Sequence, residues 1–140
     1  MVRTRILFPA LVALSSLAAP SWAQAPSEGE APDALQVYFA SGSARVADDQ
    51  ATTLDQAARL FREGSPIVMI VSGGADTVGQ ADNNLDLSVR RAQAVVDGLI
   101  ARGIPADRLQ LLGRGTSELP VETDDGVDLR ENRVVEITWR

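Results

Sequence analysis

Apolar and polar positions alternate with a period of two from Leu35 to Phe39, where Gln36 and Tyr38 separate Leu35, Val37 and Phe39, and the run breaks at Ser41, Gly42 and Ser43. That is the pattern of a half-buried strand. The period then changes. Ala47, Ala51, Leu54, Ala58 and Phe61 recur at spacings of four, three, four and three, one face of a helix with Asp48 or Asp49 as N-cap and Gly64 and Pro66 as its stop. Ile67 to Val71 is a continuous apolar run closed by Gly73 and Gly74, which predicts a central strand covered on both faces. Leu85, Val89, Ala92, Val96 and Leu99 form a second helical stripe, placing a helix from about Asn84 to Arg102 with Gly103 ending it. Leu109 to Leu112 and Val134 to Trp139 read as two more strands, and the polar, acid-rich stretch from Gly113 to Glu131 between them reads as a long surface loop. The order strand, helix, strand, helix, strand, loop, strand predicts an α+β fold in which two helices form one layer on a single sheet.

The N-terminus follows different rules. Arg3 and Arg5 precede an apolar run from Ile6 to Leu14 that resumes after two serines and reaches Ala19, and Ser21 and Ala23 stand at the −3 and −1 positions read by a signal peptidase. The apolar stretch is about 14 residues, short of the roughly 20 that span a bilayer as a helix, so residues 1–23 are expected to be a cleaved signal peptide with no integral membrane segment after it. Residues 24–34 carry Pro26, Pro32, Gly29, Glu28, Glu30 and Asp33 with almost nothing to bury, the composition of a disordered leader. Removing 23 of 140 residues leaves 117, a length suited to one domain over residues 35–140.

Charge and residue usage then narrow the function. The chain has 13 basic residues, 19 acidic residues, no histidine and no cysteine. Two of the basic residues lie in the signal peptide, so the mature net charge is 11 − 19 = −8. The remaining arginines are scattered, and such a protein repels phosphate backbones rather than binding nucleic acid. Without cysteine there is no disulfide, no thiolate metal site and no residue for a lipid after the signal peptide. Without histidine as well, the commonest general base and the thiol nucleophile are missing, so neither catalysis nor a metal or cofactor is expected. A calcium loop is disfavoured because Val78 and Gln80 fall where an EF-hand wants oxygen ligands.

The segment SGGADTVGQADNNLDLSVRRAQAVVDGL, residues 72–99, resembles the OmpA-like peptidoglycan-binding domain family at Gly73, Asp76, Gly79, Asn84, Leu87, Ser88, Arg91, Ala92 and Val95. Further matches are Val37 to Phe39 with Ser43 and Ala44, Gly103-Ile104 with Arg108, Gly113, Gly115 and Pro120, and Asn132-Arg133. The resemblance implies a β-α-β-α-β-β sandwich, two helices packed on one mixed four-stranded sheet. It also implies non-covalent binding of peptidoglycan through diaminopimelate of the stem peptide, in the periplasm of a Gram-negative bacterium, attached to the wall and near the outer membrane. By that resemblance Asp76 accepts from the ligand ammonium and Arg91 grips its carboxylate in a two-pronged pair. Asn84 adds polar contacts, Leu87 shapes the pocket wall, and Arg133 is a further ligand-binding candidate. Asn84, Leu87 or Ser88, and Arg91 share one helix face by their spacing.

The chain departs from the family at several positions. Gly74 and Ala75 replace a histidine and a threonine, Gly42 replaces an aspartate or asparagine, and Val134 replaces a second arginine, so weaker binding of the same ligand is expected. Simpler roles exist for the same residues: Asp76 capping a turn, Asn84 as helix N-cap, and Arg91 solvated beside Asp86 or Asp97. Competing functions are a wall hydrolase using Asp76, Asp82 and Asp86, and a wall-anchoring subunit of a larger envelope complex whose protein partners the sequence does not name.

Overall fold

A computed structural model of the chain describes residues 32–64 and 68–140. The signal peptide, most of the leader, and Pro66 and Ile67 lie outside the described residues. Four strands, β1 (Ala34–Tyr38), β2 (Met69–Gly73), β3 (Leu109–Gly113) and β4 (Val134–Trp139), form one sheet in the order β1-β4-β2-β3. β4 runs antiparallel to both β1 and β2, whereas β3 is parallel to β2. Helices α1 (Ala51–Gly64) and α2 (Ala81–Ala101) pack on one face of this mixed sheet, the α+β architecture expected from the sequence.

The alternation in β1 fulfils its pattern: Leu35 and Val37 are buried, and Gln36 between them is exposed. Leu54, Ala57 and Ala58 of α1 and Val95, Val96 and Leu99 of α2 complete the core against Met69, Val71, Val135 and Ile137. α2 ends as its glycine predicts. Gly103, at φ +93°, donates to the Ile100 carbonyl at 3.0 Å, and Ile104 donates to the Leu99 carbonyl at 3.2 Å, a Schellman closure with Ile104 tucked into the core.

Four expectations need correction. α1 is preceded by a turn of 3-10 helix at Asp48–Gln50, and neither aspartate caps it through its side chain. α2 begins three residues before Asn84, at Ala81, which removes Asn84 from the N-cap position. β2 is interior but is covered by helices on one face only, so Ile70 on the other face is half-buried. Finally, Leu85 and Val89 are 48% and 38% exposed, so the buried stripe of α2 runs instead through Asn84, Ser88, Arg91, Ala92, Val95 and Leu99. No helix among the described residues is long and apolar enough to cross a membrane.

Candidate functional site

The site lies where β2 ends, between the first turns of α2, the loop after β1 and the entry to β4. Gly73 sets the spacing there, because a Cβ on it would lie 2.0 Å from the Ser88 carbonyl oxygen. Only a residue without a side chain lets α2 approach the strand so closely. Past this contact the chain leaves the sheet: Gly74 donates to the Val134 carbonyl at 2.8 Å and Ala75 to the Gly115 carbonyl at 2.9 Å. These bonds fix the backbone that carries Asp76.

Asp76 is 5% exposed. One carboxylate oxygen, Oδ1, accepts from the Val78 amide at 3.3 Å, so the residue does cap a turn. The other, Oδ2, accepts from Nη1 of Arg133 at 3.1 Å. The same Nη1 donates to Oδ1 of Asp128, and Nε of Arg133 donates to the Phe39 carbonyl at 2.9 Å. Among the described residues Nη2 of Arg133 meets no acceptor. Since no buried side-chain nitrogen there is left without a partner, and the Arg133 side chain is 12% exposed, Nη2 faces solvent.

Arg91 lies beneath this pair with no exposed surface. Nε donates to the Ser43 carbonyl at 2.8 Å, Nη1 to the Gly74 carbonyl at 3.1 Å and Nη2 to the Ala40 carbonyl at 3.1 Å, and its guanidinium sits 5.5 Å from the centre of the Phe39 ring. The residue is thus neither solvated nor paired with its neighbours: Asp86 pairs with Arg90, and Asp97 accepts from Gln93. Desolvation lowers the Arg91 pKa from its ordinary value to about 10, opposed by the attraction of Asp76 and helped by repulsion from Arg133 and Arg90. Each of the three guanidinium nitrogens thus donates to a backbone carbonyl, and the side chain has no exposed surface.

The other two sequence candidates sit to one side. Asn84 is 5% exposed and, with Thr77, Gly79, Thr116 and Asp125, lines a depression of about 200 Å³ that Asp76, Arg91 and Arg133 do not line. Leu87, one turn before Arg91, is half-buried. Asp76, Arg91 and Arg133 are therefore brought together, while Asn84 joins them only through the neighbouring Thr77.

Thr77 and Asp128 escaped the sequence reading, and Asn132, named there only as a family match, proves to be a support. Thr77 ties the acidic loop to the site: its hydroxyl donates to the Asp124 carbonyl at 2.7 Å and accepts from Val127 at 3.0 Å, and its carbonyl accepts from Gly126 at 2.7 Å. Asn132, fully buried, pairs with both backbone groups of Val121 at 2.9 and 2.8 Å. Asp128 reads in sequence as one more loop acid, and nothing there marks it as the partner of Arg133. Arrayed on these supports, one buried carboxylate and two guanidiniums lie together at this end of the sheet.

Comparison with known proteins places this arrangement in a family. The chain is 32% identical over 92 residues to the peptidoglycan-associated lipoprotein of Mesorhizobium japonicum, covering 66% of this chain and 54% of that relative, so it spans about half the relative's length. Its fold matches the crystal structure of the peptidoglycan-associated lipoprotein from Burkholderia pseudomallei with a TM-score of 0.70 at 24% identity, over 76% of this chain and 90% of that one. It matches the periplasmic domain of Helicobacter pylori MotB with a TM-score of 0.64 at 18% identity, over 76% and 74% of the two chains. Residues 38–133 match the OmpA family profile, from the end of β1 to the arginine before β4, and the chain belongs to the OmpA family.

Proposed function

We propose that this protein binds peptidoglycan non-covalently, without catalysis, through the free amino-acid end of diaminopimelate in the stem peptide, and so attaches to the cell wall in the periplasm of a Gram-negative envelope. The observation that carries this reading is the buried Asp76 carboxylate beside two guanidiniums at one end of the sheet. A zwitterion offers an ammonium and a carboxylate on one carbon, and the site offers their complements. The ammonium takes the place of Arg133 on Asp76. The carboxylate meets the Nη1 and Nη2 edge of Arg133 in a two-pronged, charge-assisted pairing that a planar guanidinium favours over an ammonium side chain, taking the place of Asp128 on Nη1, while Arg91, which has no exposed surface, adds its positive charge from beneath. The peptidoglycan-associated lipoproteins among its relatives support peptidoglycan as the polymer bound.

Co-sedimentation with purified sacculi tests the reading. Asp76→Ala should lower the bound fraction at least tenfold, the loss expected when one partner of a buried, hydrogen-bonded charge pair is truncated. A stem tripeptide ending in diaminopimelate should displace the wild type, and the same tripeptide ending in lysine, whose side chain carries an ammonium but no carboxylate, should not. Equal pelleting of wild type and Asp76→Ala would remove Asp76 from the site.

A further inference from the structure

The two carboxylates that share Nη1 of Arg133 are not equivalent. Asp76 is 7% exposed at its side chain and is held at the end of β2 by the backbone bonds of Gly74 and Ala75. Asp128 is 62% exposed, and its carboxylate makes no contact among the described residues except with Arg133. Its backbone, however, is fixed, because Thr77 clamps Asp124, Gly126 and Val127 immediately before it. The Asp128 side chain can swing away while the loop stays in place.

From this arrangement we infer that Asp128 is an internal competitor for the ligand carboxylate: in the free protein it occupies Arg133, and binding requires a carboxylate from outside to displace it. This rests on the reading of Asp76 and Arg133 as the zwitterion site. The competition is weak by construction, since an exposed ion pair contributes little and leaves readily. Asp128 therefore determines affinity and favours ligands whose carboxylate is free. A neutral amide at the same place gains nothing from Arg133 that would repay the loss of Asp128. Thr77 acts as a positioning residue for this device, since it sets the reach of the Asp128 side chain.

The test is titration calorimetry of the full chain with two probes, a stem tripeptide ending in diaminopimelate and the same peptide with the distal diaminopimelate carboxyl amidated. Asp128→Asn should bind the free-acid peptide roughly two- to fivefold more tightly than wild type, the range open to one exposed ion pair. It should leave affinity for the amidated peptide unchanged. In an Arg133→Gln background the gain should vanish, because the contested group is gone. Unchanged or weaker binding of the free-acid peptide by Asp128→Asn, an equal gain on both peptides, or a gain that persists with Arg133→Gln overturns the competitor. No binding of either peptide by wild type and Asp128→Asn alike overturns the zwitterion site and the competitor together.

Discussion

Arg91 is the largest fully buried side chain in the domain and carries a full charge. A buried cation is tolerated only when paired and hydrogen-bonded, and here three backbone carbonyls from two loops share that task, with Asp76 providing the nearby negative charge. The residue therefore holds the loop after β1 against the end of β2 before any ligand arrives. Arg91→Ala should cost about 3–5 kcal/mol of unfolding free energy, the range for breaking a buried, fully bonded charged group. Its pKa, lowered to about 10, gives this loss a defined pH dependence. A base whose folded pKa lies below its unfolded value binds fewer protons when folded, so its contribution to stability rises with pH only from about pH 10 upward. Below that the charge is constant. Urea denaturation should show wild type and Arg91→Ala separated by the same offset between about pH 6 and pH 9, and an offset that varied across that window would contradict the assignment.

At the scale of elements, α2 shows where hydrophobic periodicity fails and why. The pattern chose Leu85 and Val89 for the buried face, yet the first turns bury Asn84, Ser88 and Arg91 instead. Burial of Ser88 and Arg91 is stable because both have partners: Arg91 has its three carbonyls, and the Ser88 hydroxyl donates to the Leu85 carbonyl at 2.7 Å and accepts from the Gly115 amide at 2.9 Å. Hydropathy cannot register such compensation, whereas the family motif, which names asparagine, serine and arginine at this spacing, does. β1, β4 and α1 were legible from periodicity alone because the residues they bury are all apolar. Gly73 belongs to the same contact between α2 and β2. Gly73→Ala would force a methyl group to 2.0 Å from the Ser88 carbonyl oxygen and 3.1 Å from the Ala92 Cβ, and the first obstacle is backbone that cannot rotate away. The variant should lose about 1–3 kcal/mol, the usual cost of overpacking, with faster amide exchange at the start of α2. Unchanged exchange from Asn84 to Ala92 would show that the close approach is not required.

The order of the sheet determines how the whole molecule comes apart. β4, the last strand in the chain, lies between β1 and β2, and β1 pairs with nothing else in the sheet. The N-terminal strand therefore cannot dock until the C-terminal one has been inserted, and a defect in β4 reaches both halves of the sheet at once. The site shares this dependence. Arg133 immediately precedes β4, Gly74 is bonded to Val134, and Phe39 donates to the Arg133 carbonyl at 2.9 Å, so the positions of Asp76 and Arg133 are set by β4 as firmly as by their own loops. Ile137, with no exposed surface, is the natural place to weaken it, and Ile137→Ala should cost about 2–5 kcal/mol. That loss should appear as one transition: with Trp22→Phe leaving Trp139 as the sole tryptophan, its fluorescence and far-ultraviolet circular dichroism should follow coincident urea curves, shifted together by Ile137→Ala. Amide protection in β1 and β2 should fall by the same factor in that variant, because neither strand can keep its place once β4 leaves. A population in which β2, β3 and α2 stay protected while β1 exchanges freely would mean that the two halves fold independently, and Arg133 would then be free to leave Asp76 without the rest of the domain unfolding.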